Sequence, residues 1–487
     1  MKFWKKYYSL IFLIVALGVT ASNIIQKIYY SPDDTYIYMQ YARNIAHGNG
    51  YSFNAGEPSY GVTSLFWPIL MAPAYLAGME GYWFAKILDL ILFIMSIIIF
   101  YKLTGLMNIN ADQGGMLNNR NIQNISTAVF SLNIWFVRWA FTGMETSLAV
   151  FMVLLIFFFV YKEKYISASI SLGIFYLIRP EGIVLFLVYF IFLIYKRVSV
   201  KVILYSCILF LVITVPFIVY AKIVFNTFVP NTALGKTTFN FGLDIYIPEL
   251  KRIFLTIVVS DAVGILLSVL VIIYVFRTKK IKDYLFMILW IIGLICLYVV
   301  TDSDIISRYL LIIIPFFTII GFQALKIYPA RLMILSSILF IIILIQTQFI
   351  FYRSVKPATD NFTQGTNECL IAIGKWIDSS TPKESRVLVN DVGAIGYYSN
   401  RYIIDAAALI NRDLELNRKI MHAPLEERQN TANLLKIASA DYVILRDTVV
   451  DPIKINEKLE FKFYREFPGL GISDQKVKYY SVYRVKN

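Results

Sequence analysis

Two adjacent carboxylates, Asp33 and Asp34, stand directly after the first long apolar run of the chain, next to Tyr36 and Tyr38. An ionisable pair held at a lipid–water boundary suits chemistry on a substrate with one end in lipid. There an aspartate can act as a general base and take the proton of an acceptor hydroxyl. The plainer alternative is that both acids only favour the positive end of a helix. Other reactive groups recur at the ends of apolar runs. Thr142-Gly143-Met144-Glu145-Thr146, with Arg138 close by, offers Glu145 to a sugar hydroxyl, or simply an interfacial ion pair. Arg179-Pro180-Glu181-Gly182 makes a tight bend. Its arginine carries the guanidinium fork that suits a phosphate, unless it only snorkels. Arg308 follows Asp302 and Asp304 and begins another apolar run, where it could meet a phosphate oxygen. Pro230-Asn231-Thr232 and Lys236 belong to a long connection of the kind that serves as a binding loop or lid, with Lys236 a further phosphate candidate.

The elements that must hold these groups are membrane spans. The chain has 487 residues, 58% of them hydrophobic, and a mean hydropathy of +0.63. Soluble domains do not have this composition. About eleven runs approach the roughly 20 apolar residues a span requires, at 8–29, 84–106, 123–138, 145–161, 165–179, 182–196, 201–224, 254–276, 283–301, 306–323 and 331–350. The net charge of +14, from 46 basic and 32 acidic residues, is not a nucleic-acid footprint. Lys5 and Lys6, Lys162 and Lys164, Lys196, Arg197 and Lys201, then Arg277, Lys279, Lys280 and Lys282 fall in alternate loops, which is positive-inside bias. It places the N-terminus in the cytoplasm, the C-terminus outside, and the reactive groups on the outer face of a multi-pass plasma-membrane protein. Ala21-Ser22 resembles a signal-cleavage site, but the apolar character runs on to Ile28, long enough to span. Three scattered cysteines and two histidines exclude a disulfide framework and a multi-histidine metal site.

Within the first outer loop, Ser31 reads as an N-cap, Pro32 as the first helical residue and Asp34 as the closing member of a capping box. The helix should run to His47 and stop at Gly48. Asp33, Gln40, Arg43 or Asn44, and His47 then share one polar face, while Ile37, Tyr41 and Ile45 form an apolar stripe, as in a helix lying along the bilayer. Asn49-Gly50 and Asn54-Ala55-Gly56-Glu57 read as turns, and 65–76 as a second surface helix. Two regions follow from the change in polarity: residues 1–352 in the membrane and a smaller α/β domain over 353–487. That domain should contain helices at 364–379 and 412–438, a short helix from Gly393, and strands at 386–390, 402–404, 442–445, 461–467 and 479–485.

Taken in order, these pieces resemble the GT-C class of membrane glycosyltransferases, and within it polyprenyl-phosphate-sugar-dependent enzymes similar to arabinofuranosyltransferases and mannosyltransferases. The matching residues are Asp33-Asp34 with Tyr41-Ala42-Arg43-Asn44, Gly48, Gly50, Phe53-Asn54, Gly56-Glu57, Gly61, Thr63-Ser64 and Trp67. Further on they are Gly143-Met144-Glu145-Thr146, Arg179-Pro180-Glu181-Gly182, Pro230-Asn231-Thr232 with Lys236, Arg308-Tyr309-Leu310, and Asp391-Val392-Gly393-Ala394-Ile395-Gly396-Tyr397-Tyr398. The resemblance implies a polytopic helical fold with an extracytoplasmic C-terminal α/β domain. It implies a lipid-phosphate sugar as donor and a glycan, glycolipid or protein as acceptor. The base falls on Asp33 or Asp34, with Asp33 favoured because it shares a face with Gln40 and Arg43. Arg179, Arg308, Lys236 and Arg138 would hold the donor phosphate. Glu57, Glu145, Glu181, Asn231, Arg43 and Tyr38 would meet sugar or acceptor. The resemblance fixes no cofactor, and a divalent cation on Asp33, Asp34 and Glu145 stays open. The rival function is a transporter or flippase of a lipid-linked or polar solute. Such sites sit near the bilayer midplane on broken helices, whereas the polar residues here gather at span ends. A third reading is a non-catalytic assembly or sensor protein. No WWDYG-like run supports an oligosaccharyltransferase, and no glycine-rich phosphate loop supports a nucleotide donor.

Overall fold

A computed structural model of the chain describes residues 2–109, 115–234, 242–277, 281–302, 305–323, 325, 332–407, 409–410, 439–450 and 459–486. Residues 2–350 are helical with short connections: α1 (Lys2–Ile25), α2 (Asp33–Ala46), α3 (Phe66–Leu76), α4 (Gly81–Ile109), α5 (Gly115–Ser131), α6 (Ile134–Trp139), α7 (Thr146–Tyr161), α8 (Tyr165–Ile178), α9 (Gly182–Tyr195), α10 (Val200–Phe225), α11 (Asn231–Leu234), α12 (Leu243–Arg277), α13 (Leu285–Val300), α14 (Ser307–Leu310), α15 (Ile314–Phe322) and α16 (Leu332–Ile350). Among the described residues, five helices are long and apolar enough to cross a membrane: Tyr7–Ile25, Gly81–Met107, Val200–Phe225, Ile245–Ile273 and Met333–Ser380. The shorter α7, α8, α9 and α13 are apolar on every side, the composition of helices packed among other helices or in lipid. Eleven of the sixteen residues of α7 are buried.

Three of the expected spans are interrupted. The run at 123–138 breaks into α5 and α6 because the Asn133 side chain accepts the Phe136 N–H and starts a new helix. The run at 306–323 divides into α14 and α15. The span expected at 254–276 begins earlier, at Leu243, and kinks at Asp261, whose φ of −154° and ψ of 59° are not helical.

The last span does not stop at the membrane surface. One-turn π-helical stretches at Phe351–Val355 and Thr366–Ile371 join α16 to α17 (Lys356–Gly365) and α18 (Ala372–Ser380). A single helical run therefore leads from the membrane part into the C-terminal domain, and the polarity change at 353 falls inside it. The domain itself is a five-stranded sheet, β1 (Arg386–Val389), β2 (Tyr402–Asp405), β3 (Tyr442–Asp447), β4 (Leu459–Phe467) and β5 (Lys478–Val485), in the order β2-β1-β3-β5-β4. β1 is parallel to β2 and β3, and β5 is antiparallel to β3 and β4. The parallel strands are covered on both faces and so read as unbroken apolar runs, as parallel strands do. Helix α19 (Val392–Ser399) crosses from β1 to β2. The helices expected over 412–438 lie outside the described residues.

Two expectations about α2 are corrected. The helix starts at Asp33 with Pro32 as its cap residue and no side-chain cap bond. Ser31 is instead drawn to the buried Lys86 Nζ, 3.1 Å from its hydroxyl. Nor is α2 open on one face. Nine of its residues, from Thr35 to Asn44, are buried, because α3 and α4 cover one side and α19 the other.

Candidate active site

Three short junctions converge beside the first turns of α2. The Arg308 Nη2 lies 2.7 Å from Asp34 Oδ2; the arginine side chain is 7% exposed and the aspartate 42%. The Arg308 guanidinium also stands over the rings of Trp139 and Tyr309, at 5.5 and 5.3 Å. Arg179 Nη2 lies 2.7 Å from Glu145 Oε1, with both side chains 2% exposed, and its guanidinium stands 5.1 Å from the same Tyr309 ring. Tyr298 donates its hydroxyl to Glu181 Oε1 at 2.7 Å. Tyr38 sits within the field of Glu145, Arg179, Arg308 and Asp34. Burial, reinforced by the Glu145 carboxylate, raises its phenol well above the ordinary value, so it remains a neutral O–H donor. Five buried polar atoms of this cluster have no hydrogen-bond partner: Glu145 Oε2, Glu181 Oε2, Arg179 Nε, Arg308 Nε and Arg179 Nη2, whose contact with Glu145 is an ion pair without hydrogen-bond geometry. Buried polar atoms are ordinarily satisfied, so a cluster of unmet donors and acceptors is a place for a polar ligand. Arg138 stands one layer away, stacked at 5.1 Å on Trp139, which also carries Arg308.

Charged residues hidden within apolar runs hold this arrangement, and they escape a reading based on average hydropathy. Asp89 Oδ2, fully buried on α4, accepts the main-chain N–H groups of Thr142 and Gly143 at 2.7 and 3.1 Å. It thereby fixes the turn that delivers Glu145. Gly143 has a φ of +82°, and a Cβ there would press on Thr35, which explains the glycine. Buried Lys86 donates to the Tyr30 carbonyl and the Ser31 hydroxyl at 2.8 and 3.1 Å, pinning the residues just before Asp33-Asp34. Buried Lys27 donates to the Ala140 carbonyl.

The other predicted site residues do not join this cluster. Asp33 points the opposite way from Asp34: its two carboxylate oxygens accept the N–H groups of Gly393 and Ala394 at 2.8 Å each. Arg43 stacks on Tyr397 of α19 at 4.6 Å. Glu57 accepts the Tyr402 hydroxyl at 2.7 Å. Asn231 donates to the Leu409 carbonyl at 2.9 Å and takes its main-chain bond to Tyr60. All four are engaged with the C-terminal domain. Lys236 and Asp304 lie outside the described residues. Tyr298, Tyr309 and Trp139 were not anticipated as site residues; only Tyr309 carried a signal, as the neighbour of Arg308.

The carboxylates that could share a divalent cation are each directed elsewhere: Asp33 to two main-chain N–H groups, Asp34 to Arg308, Glu145 to Arg179. Among the described residues no group of three His, Cys, Asp or Glu side chains is placed to hold a metal. The residues present do not fit such an ion, and no step below depends on one.

Burial, with the Asp391 carboxylate nearby, pushes the Asp33 carboxyl up to about 7, and its two N–H bonds pull against that shift. The unfolded chain releases this proton near 3.8, so between that value and about 7 the folded state holds a proton the unfolded state has lost. Stability contributed by this group is present at low pH and lost as pH rises towards 7. Thermal unfolding in detergent between pH 5 and 8 should therefore fall less steeply in Asp33→Asn than in the unmodified protein; equal slopes would contradict the assignment.

Comparison with known proteins bears on the fold. A sequence comparison with curated proteins finds no match. Residues 358–483 match the profile of DUF8728, a domain of unknown function. Among solved structures, ArnT from Cupriavidus metallidurans in the apo state is similar with a TM-score of 0.57 at 12% identity, over 97% of each chain. The Archaeoglobus fulgidus oligosaccharyltransferase in the apo form is similar with a TM-score of 0.56 at 12% identity, over 91% of this chain and 70% of that one. The archaeal oligosaccharyltransferase AglB from Archaeoglobus fulgidus, in complex with an inhibitory peptide and a dolichol-phosphate, gives a TM-score of 0.56 at 12% identity over 91% and 69%. At this identity the likeness speaks for fold alone: the chain shares the overall fold of these structures, a polytopic helical part followed by a smaller C-terminal domain.

Proposed function

We propose that this protein is a membrane glycosyltransferase that moves a sugar from a polyprenyl-phosphate-linked donor to an acceptor hydroxyl, on the extracytoplasmic side. The observation that carries the reading is the 2.7 Å contact between a buried arginine, Arg308, and a half-exposed carboxylate, Asp34, directly beside the buried Arg179–Glu145 pair. A donor phosphate competes with Asp34 for the Arg308 guanidinium. Once the arginine turns to the phosphate, the carboxylate regains basicity as the acceptor arrives. Asp34 then takes the hydroxyl proton and the acceptor oxygen bonds to the anomeric carbon. The carbon–phosphate-oxygen bond breaks, and its electron pair leaves with the lipid phosphate, whose charge Arg308 and Arg179 stabilise. Glu145 Oε2 and Glu181 Oε2 are free to accept sugar hydroxyls. An apolar pocket lined by Tyr60, Thr63, Tyr176, Pro180, Phe217 and Pro230 adjoins the Arg179 turn and suits the first isoprene units. The AglB structure, with its bound dolichol-phosphate, supports a lipid phosphate on this fold.

A transporter reading draws on the kink at Asp261, where the Asp261 carboxylate accepts the Thr318 hydroxyl at 2.6 Å. Proteoliposomes separate the two. Purified protein given polyprenyl-phosphate sugar extracted from its native membranes should release free polyprenyl phosphate and glycosylated product by mass spectrometry. Solute movement with every sugar–phosphate bond intact would sink the transferase reading.

A further inference from the structure

We propose that the C-terminal domain is a clamp on the catalytic helix. It binds the Asp33 carboxylate at the N-terminus of α19 and so fixes Asp34 against Arg308, which makes Asp33 a positioning residue and leaves the base role to Asp34. The clamp rests on the transferase reading only for what it positions; the contact itself is independent of that reading.

The sheet supplies the reason. In an open α/β sheet, ligands gather at the carboxyl end of a strand whose neighbours lie on both sides, and anions sit at the N-terminus of the helix that follows. β1 is such a strand, flanked by β2 and β3, and α19 follows it. The group there belongs to the same chain: the two Asp33 oxygens accept from Gly393 and Ala394 at 2.8 Å each, bonds that favour the carboxylate against the burial that raises its pKa. The domain's own acid at this point, Asp391, is turned to Arg446 at 2.8 and 2.9 Å and to the Tyr480 hydroxyl at 2.6 Å. Gly393 is required by the contact, since a Cβ at this position would collide with the Asp33 main-chain oxygen.

A second contact seats the same loop on the sheet edge. β2 is an edge strand, and the Asn54 carboxamide both accepts from the Ile403 N–H and donates to the Ile403 carbonyl, each at 2.9 Å. It satisfies the exposed edge as a partner strand would. α2 is therefore gripped at its first turn and again through the turn that follows it. Because Asp33 and Asp34 are consecutive in one helical turn, holding the first sets the direction of the second.

Hydrogen–deuterium exchange on the full-length protein in nanodiscs tests the clamp without any substrate. In the unmodified protein the first turns of α2 and α19 should both be protected. In Asp33→Ala, and equally in Gly393→Ala on the opposite side of the contact, exchange over 33–46 and 392–399 should rise together by about tenfold or more, while α7 and α13 are unchanged. If Asp33→Ala does not accumulate, Asp33→Asn and Gly393→Ala carry the comparison. Loosening of one segment without the other would overturn the clamp.

A second readout uses transfer from polyprenyl-phosphate sugar extracted from native membranes. Asp33→Asn and Gly393→Ala should lower kcat with little change in KM. Asp33→Asn as inactive as Asp34→Asn, with exchange at unmodified rates, would place Asp33 in the chemistry and overturn the clamp. If the unmodified protein transfers nothing, the transferase reading fails, and the exchange experiment still decides the clamp.

Discussion

Asp34→Asn is expected to lower sugar transfer by about 10²–10⁴-fold while leaving the fold and donor binding in place, the range lost with a general base. The amide has the shape of the carboxylate and still offers an oxygen to Arg308, so packing is preserved. It lacks the charge and the capacity to keep a proton. Stability should barely change, because a pair whose carboxylate is 42% exposed is screened by solvent and contributes little. The donor should bind no more weakly, since Arg308 is relieved of a competing anion. The measurements are turnover and KM with polyprenyl-phosphate sugar, alongside thermal unfolding in detergent. Undiminished turnover in Asp34→Asn would remove Asp34 from the base role, whatever Asp33→Asn does.

The contrast between the two aspartates shows what the sequence can and cannot convey. Hydropathy located the spans, and the ends of those spans located the chemistry. Asp34, Glu145, Arg179, Glu181 and Arg308 are far apart in the chain yet meet in space, because each lies at an end of an apolar run at the same end of the helical bundle. Residues at successive positions of a helix project about 100° apart, and no periodicity says which direction is the site. The reasoning that grouped Asp33 with Gln40 and Arg43 found a real face of α2. That face is turned towards α19, where Arg43 stacks on Tyr397. Asp33 and Arg43 on it both contact the C-terminal domain. Glu57 and Asn231 likewise contact the C-terminal domain. Polar side chains in turns are equally suited to a sugar hydroxyl and to a neighbouring main chain, and only the placement of the second domain decides.

The supports of the site were less legible still. Lys27, Lys86 and Asp89 are charged residues within or beside apolar runs, and averaging over a span-length window removes them from view. The structure shows why they are tolerated. Asp89 meets two main-chain N–H groups and Lys86 a carbonyl and a hydroxyl, which is how charge survives burial. What they hold, the turn before Glu145 and the residues before Asp33, is the geometry of the candidate site.

The buried Arg179–Glu145 pair yields the other large expected effect. Glu145→Ala should destabilise the protein by about 3–5 kcal/mol, because it leaves an arginine that is 2% exposed without its partner in a region that water does not reach. That loss alone would not distinguish a structural pair from a functional one. The double variant Glu145→Leu with Arg179→Met does. Replacing both charges by apolar groups of similar volume is often neutral or stabilising, so thermal unfolding should return close to that of the unmodified protein, and a double-mutant cycle should show strong coupling. On the proposed function transfer should not return, since the guanidinium assigned to the phosphate and the Glu145 Oε2 assigned to a hydroxyl are both gone. The free protein tolerates unmet polar atoms on both members of this pair, a poor arrangement for stability and a suitable one for a ligand that completes it. Recovery of transfer together with stability in the double variant would show that the pair only supports the fold, and would leave Arg308 as the sole arginine of this cluster acting on the phosphate.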